Sequence, residues 1–177
     1  STTGLTGTGA WVGPIISHPT EAGVFYTARQ LVFKSTNNGI VWAPISSGTS
    51  GTINEMAISK SDPNIMYAST SSNIWKSTNA GVNYVTVTSG TPSRTITSIN
   101  IHPDSSNVVI LTFSGFSTGK IFKTTNGGTN WINITGNLPD SPCNDGMFYY
   151  PGSPTSTLLV GMDIGVFVST DYGTSWS

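Results

Sequence analysis

One octapeptide, written four times, constrains this chain more than any other feature. Ser35-Thr36-Asn37-Asn38-Gly39-Ile40-Val41-Trp42 returns as Ser77-Thr78-Asn79-Ala80-Gly81-Val82-Asn83-Tyr84. It returns again as Thr124-Thr125-Asn126-Gly127-Gly128-Thr129-Asn130-Trp131 and as Ser169-Thr170-Asp171-Tyr172-Gly173-Thr174-Ser175-Trp176. The copies start at residues 35, 77, 124 and 169, so the steps are 42, 47 and 45. A chain with such a period is an array of one supersecondary unit, in which neighbours bury the apolar face that a single unit cannot bury alone.

The sequence between the copies repeats as well. In each unit an apolar run leads into a turn and a second apolar run follows. These are residues 12–17, His18-Pro19-Thr20-Glu21 and 24–26, then 53–58, Asp62-Pro63-Asn64 and 65–67. The third unit has 96–101, His102-Pro103-Asp104 and 108–113, and the fourth has 147–150, Pro151-Gly152-Ser153-Pro154 and 158–160. A third short run precedes each octapeptide, at 31–33, 74–75, 121–122 and 166–168, and a fourth follows it at 85–87 and 132–134. Short β-branched and aromatic runs between turn residues are strands. No segment keeps a 3.6-residue apolar period with helix caps. The reading is an all-β chain of four four-stranded β-propeller blades, whose period this is. The approximate units are 11–50, 51–92, 93–139 and 140–177, together 11–177, after an extended segment 1–10. The last unit stops at Trp176-Ser177, where its fourth strand should begin, and residues 1–9 are too rich in Gly and Thr to replace that strand. The expectation is part of a larger propeller, whose remaining blades lie elsewhere in a parent chain.

The octapeptide reads as the tight hairpin between strands three and four. Gly39, Gly81, Gly128 and Gly173 at its fifth position permit positive φ. Asn37, Asn79, Asn126 and Asp171 at its third position are expected to bond their own backbone two residues on, with Ser35, Ser77, Thr124 and Ser169 adding a weaker bond of the same kind. Trp42, Tyr84, Trp131 and Trp176 then pack between blades, worth ~2–3 kcal/mol each.

Composition excludes several functions. Only 8% of residues are charged and the net charge is −1, so there is no basic footprint for nucleic acid or anionic lipid. No apolar run approaches the ~20 residues of a membrane-spanning helix. Ser1-Thr2-Thr3-Gly4 lacks the marks of a signal peptide, so the chain reads as processed or as an internal segment. The single Cys143 excludes an internal disulfide and a Cys-cluster metal site. No cofactor is implied. The charge-poor, Ser/Thr/Asn/Gly-rich composition is that of an exported protein.

The octapeptides resemble Asp-boxes, the Ser-x-Asp-x-Gly-x-x-Trp motif of sialidase-like (BNR repeat) β-propellers, with Asn replacing Asp in three copies. Asn makes the same turn. Residues 26–42, 121–139 and 161–169 are similar to large exported Asp-box proteins of Bacteroidetes-type bacteria, many of which end in a type IX secretion sorting domain. That resemblance implies a secreted or cell-surface bacterial protein. Sialidases, xyloglucanases, sortilin-type receptors and a photosystem II assembly factor share the architecture, so the fold selects no function. In this family Asp-boxes lie at the blade periphery, which implies a structural role for the octapeptide residues.

Sialidase chemistry needs an arginine cluster, and this chain has only Arg29 and Arg94. Xyloglucanase-like chemistry needs two carboxylates. Asp163-Ile164-Gly165 matches one of that family's catalytic positions, while Thr27-Ala28-Arg29-Gln30 in unit one has no carboxylate. A lone Asp163 in a turn between strands reads first as a structural residue; as a catalytic candidate it needs a partner from outside the chain. His18 and His102 share one turn position, each before a proline, which suggests a turn role. Asp140, Asn144 and Asp145 cluster in a loop, 136–146, with oxygen ligands of the kind calcium takes, but their spacing matches no calcium loop. Cys143 in that loop reads as a plain thiol. Asn133-Ile134-Thr135 forms a glycosylation sequon. The extra loop Gly115-Phe116-Ser117-Thr118-Gly119 makes Phe116 a contact candidate. The leading expectation is a non-catalytic module that binds a glycan or an envelope protein through Arg29, Phe116 and Asp163. The alternatives are a fragment of a glycoside hydrolase and a structural unit of a surface complex.

Overall fold

Short strands of two to nine residues, broken by Pro-, Asn- and Gly-containing turns, fold as successive antiparallel hairpins. In the computed structural model, which describes residues 1–117, 119–149 and 157–177, the first sheet contains β1 (Ile15–Ser17), β2 (Phe25–Ala28), β3 (Val32–Ser35) and β4 (Ala43–Pro44). The second contains β5 (Glu55–Ile58), β6 (Met66–Ser69), β7 (Ile74–Ser77) and β8 (Val85–Thr86). The third contains β9 (Ile96–His102), β10 (Ser105–Phe113), β11 (Ile121–Thr124) and β12 (Ile132–Asn133). The fourth contains β13 (Cys143–Phe148), β14 (Leu158–Met162) and β15 (Gly165–Ser169). Strands neighbour one another in chain order within every sheet. The chain is all-β, with no helix among the described residues.

The structure corrects the sequence reading in two places, the first of them in the fourth sheet. That sheet has three strands among the described residues, and Ser177 alone stands where the sequence puts the start of its fourth, exchanging backbone bonds of 2.8 and 3.0 Å with Val168. Its first strand is Cys143–Phe148, not 147–150, because Cys143 and Gly146 point inward and the polar Asn144 and Asp145 outward, around a bulge. Cys143, Asn144 and Asp145 are therefore strand residues, not loop. In the third sheet His102 already pairs with Ser105, so the turn shrinks to Pro103 and Asp104. The Pro151-Gly152-Ser153-Pro154 turn, with Tyr150 and Thr118, lies outside the described residues.

Each octapeptide closes the same network. The hydroxyls of Ser35, Ser77, Thr124 and Ser169 donate to the side-chain oxygen two residues on, at 2.8–3.0 Å. The same hydroxyls accept the N–H of Gly39, Gly81, Gly128 and Gly173 at 2.7–3.0 Å. The Asn or Asp oxygen accepts the amide four residues on, from Val41, Asn83, Asn130 and Ser175, at 2.9–3.0 Å. The expected two-residue bond thus belongs to the hydroxyl, and the carboxamide reaches further because the chain turns left-handed twice. Asn38, Ala80, Gly127 and Tyr172 at the fourth position carry φ of 55–70°, ahead of the glycine at the fifth.

The chain forms two units, Ser1–Val87 and Thr88–Ser177. In the first, Tyr26, Ala28, Val32, Ile53, Met66, Ala68, Trp75 and Tyr84 build the core. In the second, Ile110, Ile121, Ile134, Cys143, Phe148, Leu158, Val160 and Trp176 do so. The segment after β4 runs past the second octapeptide, where Tyr84 N–H donates to the Ser47 carbonyl at 3.1 Å. The N-terminal residues take the equivalent place on the first octapeptide, as Trp42 N–H donates to Thr3 at 3.0 Å and its indole N–H to Ser1 at 3.1 Å. In the second unit the Asn137 side chain does the same job, bonding both backbone groups of Trp176 at 2.8 Å.

Candidate functional site

The turn between the second and third strands of a sheet lies opposite the octapeptide end, and it carries the candidate residues. In the first unit the turn after β2 holds Arg29. Its own backbone closes the turn, with its N–H donating to Leu31 at 2.9 Å and its carbonyl accepting Ile53 N–H at 2.7 Å. The guanidinium donates to the Gly7 carbonyl at 2.7 Å, so the N-terminal segment folds back over the turn. An open cavity of about 450 Å³, lined by Leu5, Gly7, Thr8, Thr27 and Arg29, results.

In the second unit the loop between β10 and β11 presents Phe116, 68% exposed. What holds this loop is a buried cation. The Lys120 side chain is 1% exposed, and its Nζ donates to the Gly115 carbonyl at 2.8 Å and to Asp140 Oδ1 at 2.7 Å. Asp140 also accepts the Ser117 N–H, and the Arg94 guanidinium donates to the Ser114 carbonyl. The hydrogen bond from Lys120 holds the Asp140 carboxyl below the usual carboxylate range. Nothing in the sequence marks Lys120 as special, since a lysine beside a short apolar run is ordinarily solvated.

The turn between β14 and β15 holds Asp163, which is exposed. Its Oδ1 accepts the Asn144 side-chain N–H at 2.7 Å, and its own N–H donates to Pro142 at 3.3 Å. The sequence placed Asn144 in a possible cation loop with Asp140 and Asp145. The structure gives the three residues separate partners: Asp140 pairs with Lys120, Asn144 with Asp163, and Asp145 accepts the Gly146 N–H at 2.8 Å. Cys143 is buried, and burial with the nearby Asp145 charge pushes its thiol up to about 12. The two histidines cap their turns, with His18 Nδ1 accepting Glu21 N–H at 3.0 Å and His102 Nδ1 accepting Asp104 N–H at 3.1 Å. Asn133 is spent locally, its oxygen accepting from Thr135 N–H at 2.9 Å and from the Thr135 hydroxyl at 2.6 Å. The structure therefore joins Asp163 to Asn144, and Phe116 to the Lys120–Asp140 pair, while Arg29 belongs to the other unit.

Comparison with known protein families matches residues 30–144 to the Sortilin-Vps10 model, described as sortilin, neurotensin receptor 3. That match covers more than half of the 177 residues. The chain belongs to the Sortilin-Vps10 family. Within this Sortilin-Vps10 chain the matched segment contains Phe116, Lys120, Asp140 and Asn144 and excludes Arg29 and Asp163. No curated protein matches the chain in sequence. Among solved structures it is similar to an ancestral GH74 enzyme, at 25% identity and a TM-score of 0.79, over 96% of this chain and 24% of the other. It is similar also to the GH74 xyloglucanase from Xanthomonas campestris, at 15% identity and a TM-score of 0.69, over 99% of this chain and 31% of the other. A structure of YCF48 bound to D1 peptide aligns at 16% identity and a TM-score of 0.65, over 99% of this chain and 55% of the other. The chain spans between a quarter and about half of the length of these structures. The likenesses establish the β-propeller fold.

Proposed function

We propose that this Sortilin-Vps10 chain is a secreted or cell-surface propeller module, without catalysis of its own, that binds a glycan or a protein partner through the turns bearing Arg29, Phe116 and Asp163. The observation that carries the reading is Phe116. A phenyl ring 68% exposed, on a loop fixed by a buried lysine, is a pre-ordered apolar contact beside polar groups. An aromatic ring of this kind stacks on a sugar face or fills a peptide pocket equally well. The neighbours support both classes of partner, one being a xyloglucanase and another a propeller bound to a peptide. The test is the triple variant Arg29→Ala, Phe116→Ala, Asp163→Ala, screened beside the unaltered chain on immobilised glycans and peptides. Binding by the unaltered chain that the variant loses supports these turns as contacts; equal binding by both removes them.

A second reading, a piece of a glycoside hydrolase, is favoured by one observation: Asp163 stands exposed with its carboxylate oriented by Asn144, in a chain 25% identical to an ancestral GH74 enzyme. Two carboxylates are needed for such chemistry. In this reading the second comes from a longer polypeptide, and turnover of a polysaccharide disappears in Asp163→Asn.

A further inference from the structure

Three of the four octapeptides end in tryptophan, and the second ends in Tyr84. Trp176 donates its indole N–H to the Ile134 carbonyl at 3.0 Å, and Trp42 donates its own to the Ser1 carbonyl at 3.1 Å. Tyr84 has no such N–H to give. Two registers show which carbonyl loses its donor. The Trp42 backbone N–H bonds Thr3, and its indole bonds the carbonyl two residues earlier; the Tyr84 backbone N–H bonds Ser47, and two residues earlier stands Ile45. Ile134 donates its own N–H to Ile121, the first residue of β11, just as Ile45 donates to Val32, the first residue of β3. Both registers put the Ile45 carbonyl where Ser1 and Ile134 receive an indole. Among the described residues that carbonyl receives no hydrogen bond.

The Tyr84 hydroxyl is aimed elsewhere. It lies 3.3 Å from the Cβ position of Gly81, as Cζ2 of Trp42 lies 3.5 Å from that of Gly39. The oxygen therefore takes the place of a ring carbon two bonds from the indole nitrogen, and the smaller ring carries no atom where that nitrogen stands. This hydroxyl is buried and bonds nothing among the described residues. The same core holds a second hydroxyl in the same condition, that of Tyr26, 0% exposed. Burial first, and the Tyr26 phenol second, push the Tyr84 hydroxyl above the usual phenol range, so the two lie within electrostatic reach. Met66 Sδ and the Ile45 side chain close around the same point. Buried polar atoms are paired, with ordered water where protein supplies no partner. A buried water makes about three hydrogen bonds, and two hydroxyls and a carbonyl supply that number. We propose that the core of the first unit binds one ordered water, which accepts from the Tyr84 and Tyr26 hydroxyls and donates to the Ile45 carbonyl. It does for Ile45 what an indole N–H does for Ser1 and Ile134.

Tyr84→Phe and Tyr26→Phe each keep the ring and remove one hydroxyl, and the sign of their effect on urea unfolding tests this. A dry hydroxyl is an unfavourable burial, so its removal would raise the midpoint. With the water bound, each variant lowers the folding constant by about fivefold to tenfold. The double variant lowers it by less than the product of the two losses, because both act on one water. Tyr84→Trp supplies the N–H that Ile45 lacks and displaces the water, so it keeps or raises the midpoint. In the unaltered chain, NMR should show cross-relaxation from a long-lived water to the Tyr84 and Tyr26 ring protons, absent in Tyr84→Trp. A midpoint raised by either Phe variant, or losses that simply multiply, overturns the proposal. So does an unaltered chain without the water signal, since coupled losses would then come from a direct bond between the two hydroxyls.

Discussion

Removing one hydroxyl, Ser77→Ala, tests whether the octapeptide network holds the blade together. Ser77 is 0% exposed, and its hydroxyl donates to Asn79 Oδ1 at 3.0 Å and accepts from Asn79 N–H at 3.2 Å and Gly81 N–H at 2.9 Å. Gly81 is buried, so alanine strands its N–H away from water, a loss of ~1–3 kcal/mol. The donor lost to Asn79, whose oxygen still holds Asn83 N–H, adds about 1 kcal/mol. The expected cost is about 2–4 kcal/mol, read as a shift in urea midpoint at constant slope, followed by tryptophan fluorescence. Two companions sharpen the test. Ser35→Ala removes the same three bonds, but Gly39 is half-buried and water reaches its N–H, so the loss should be about 1–2 kcal/mol. Ser77→Thr should cost under ~1 kcal/mol, because Thr124 makes the same bonds at 2.9, 3.2 and 3.0 Å in the third octapeptide. If Ser77→Ala cost less than ~0.5 kcal/mol, or no more than Ser35→Ala, the argument from a buried, stranded amide would be wrong.

Hydrogen bonds from Ser175, Ser169 and Thr174 hold the Asp171 carboxyl at about 2, below its ordinary 3.8. A folded-state value below the unfolded one means that this stabilisation is complete above pH ~4 and is lost as pH falls toward 2; Asp171→Asn should flatten the fall of the unfolding midpoint in that window, and an unchanged fall would exclude Asp171 as its source. Gly48→Ala places a Cβ 2.4 Å from the Tyr84 carbonyl oxygen at a φ of +85°, so strain and overlap with backbone together should cost more than ~2 kcal/mol, measured by thermal unfolding. The Cys143 thiol, buried and pushed up to about 12, should resist a disulfide reagent in the native chain and react promptly in urea, whereas prompt native labelling would contradict its burial.

The architecture was legible because the octapeptide is a local device. Its Gly, Asn and Ser bond within eight residues, so spacing alone announces each hairpin, and the runs around it fall on β2, β3, β6, β7 and their counterparts. What escaped the sequence was set by tertiary contact. Ala80 and Tyr172 adopt positive φ against their intrinsic preference because the surrounding bonds over-determine the turn. β13 starts four residues early because the inward Gly146 packs on Thr112 and Val160, a fit no pattern of alternation reveals. The candidate residues could be named one by one from the sequence, but not the contacts around them. Arg29, Phe116 and Asp163 stand out as rare charges or an aromatic in turns. The partners that fix two of them from a distance, Asn144 for Asp163 and Asp140 for the Phe116 loop and its neighbour Lys120, lie 19 to 23 residues away in sequence and meet only through the sheet.

Binding without chemistry is the central claim, and a single incubation tests it most directly: the chain with xyloglucan and other plant and bacterial polysaccharides, assayed together for retention on the polymer or on a peptide partner and for new reducing ends. The account predicts retention that Arg29, Phe116 and Asp163 together support, with no reducing ends released. Release of reducing ends by the unaltered chain, abolished in Asp163→Asn, would contradict it and make Asp163 a catalytic residue.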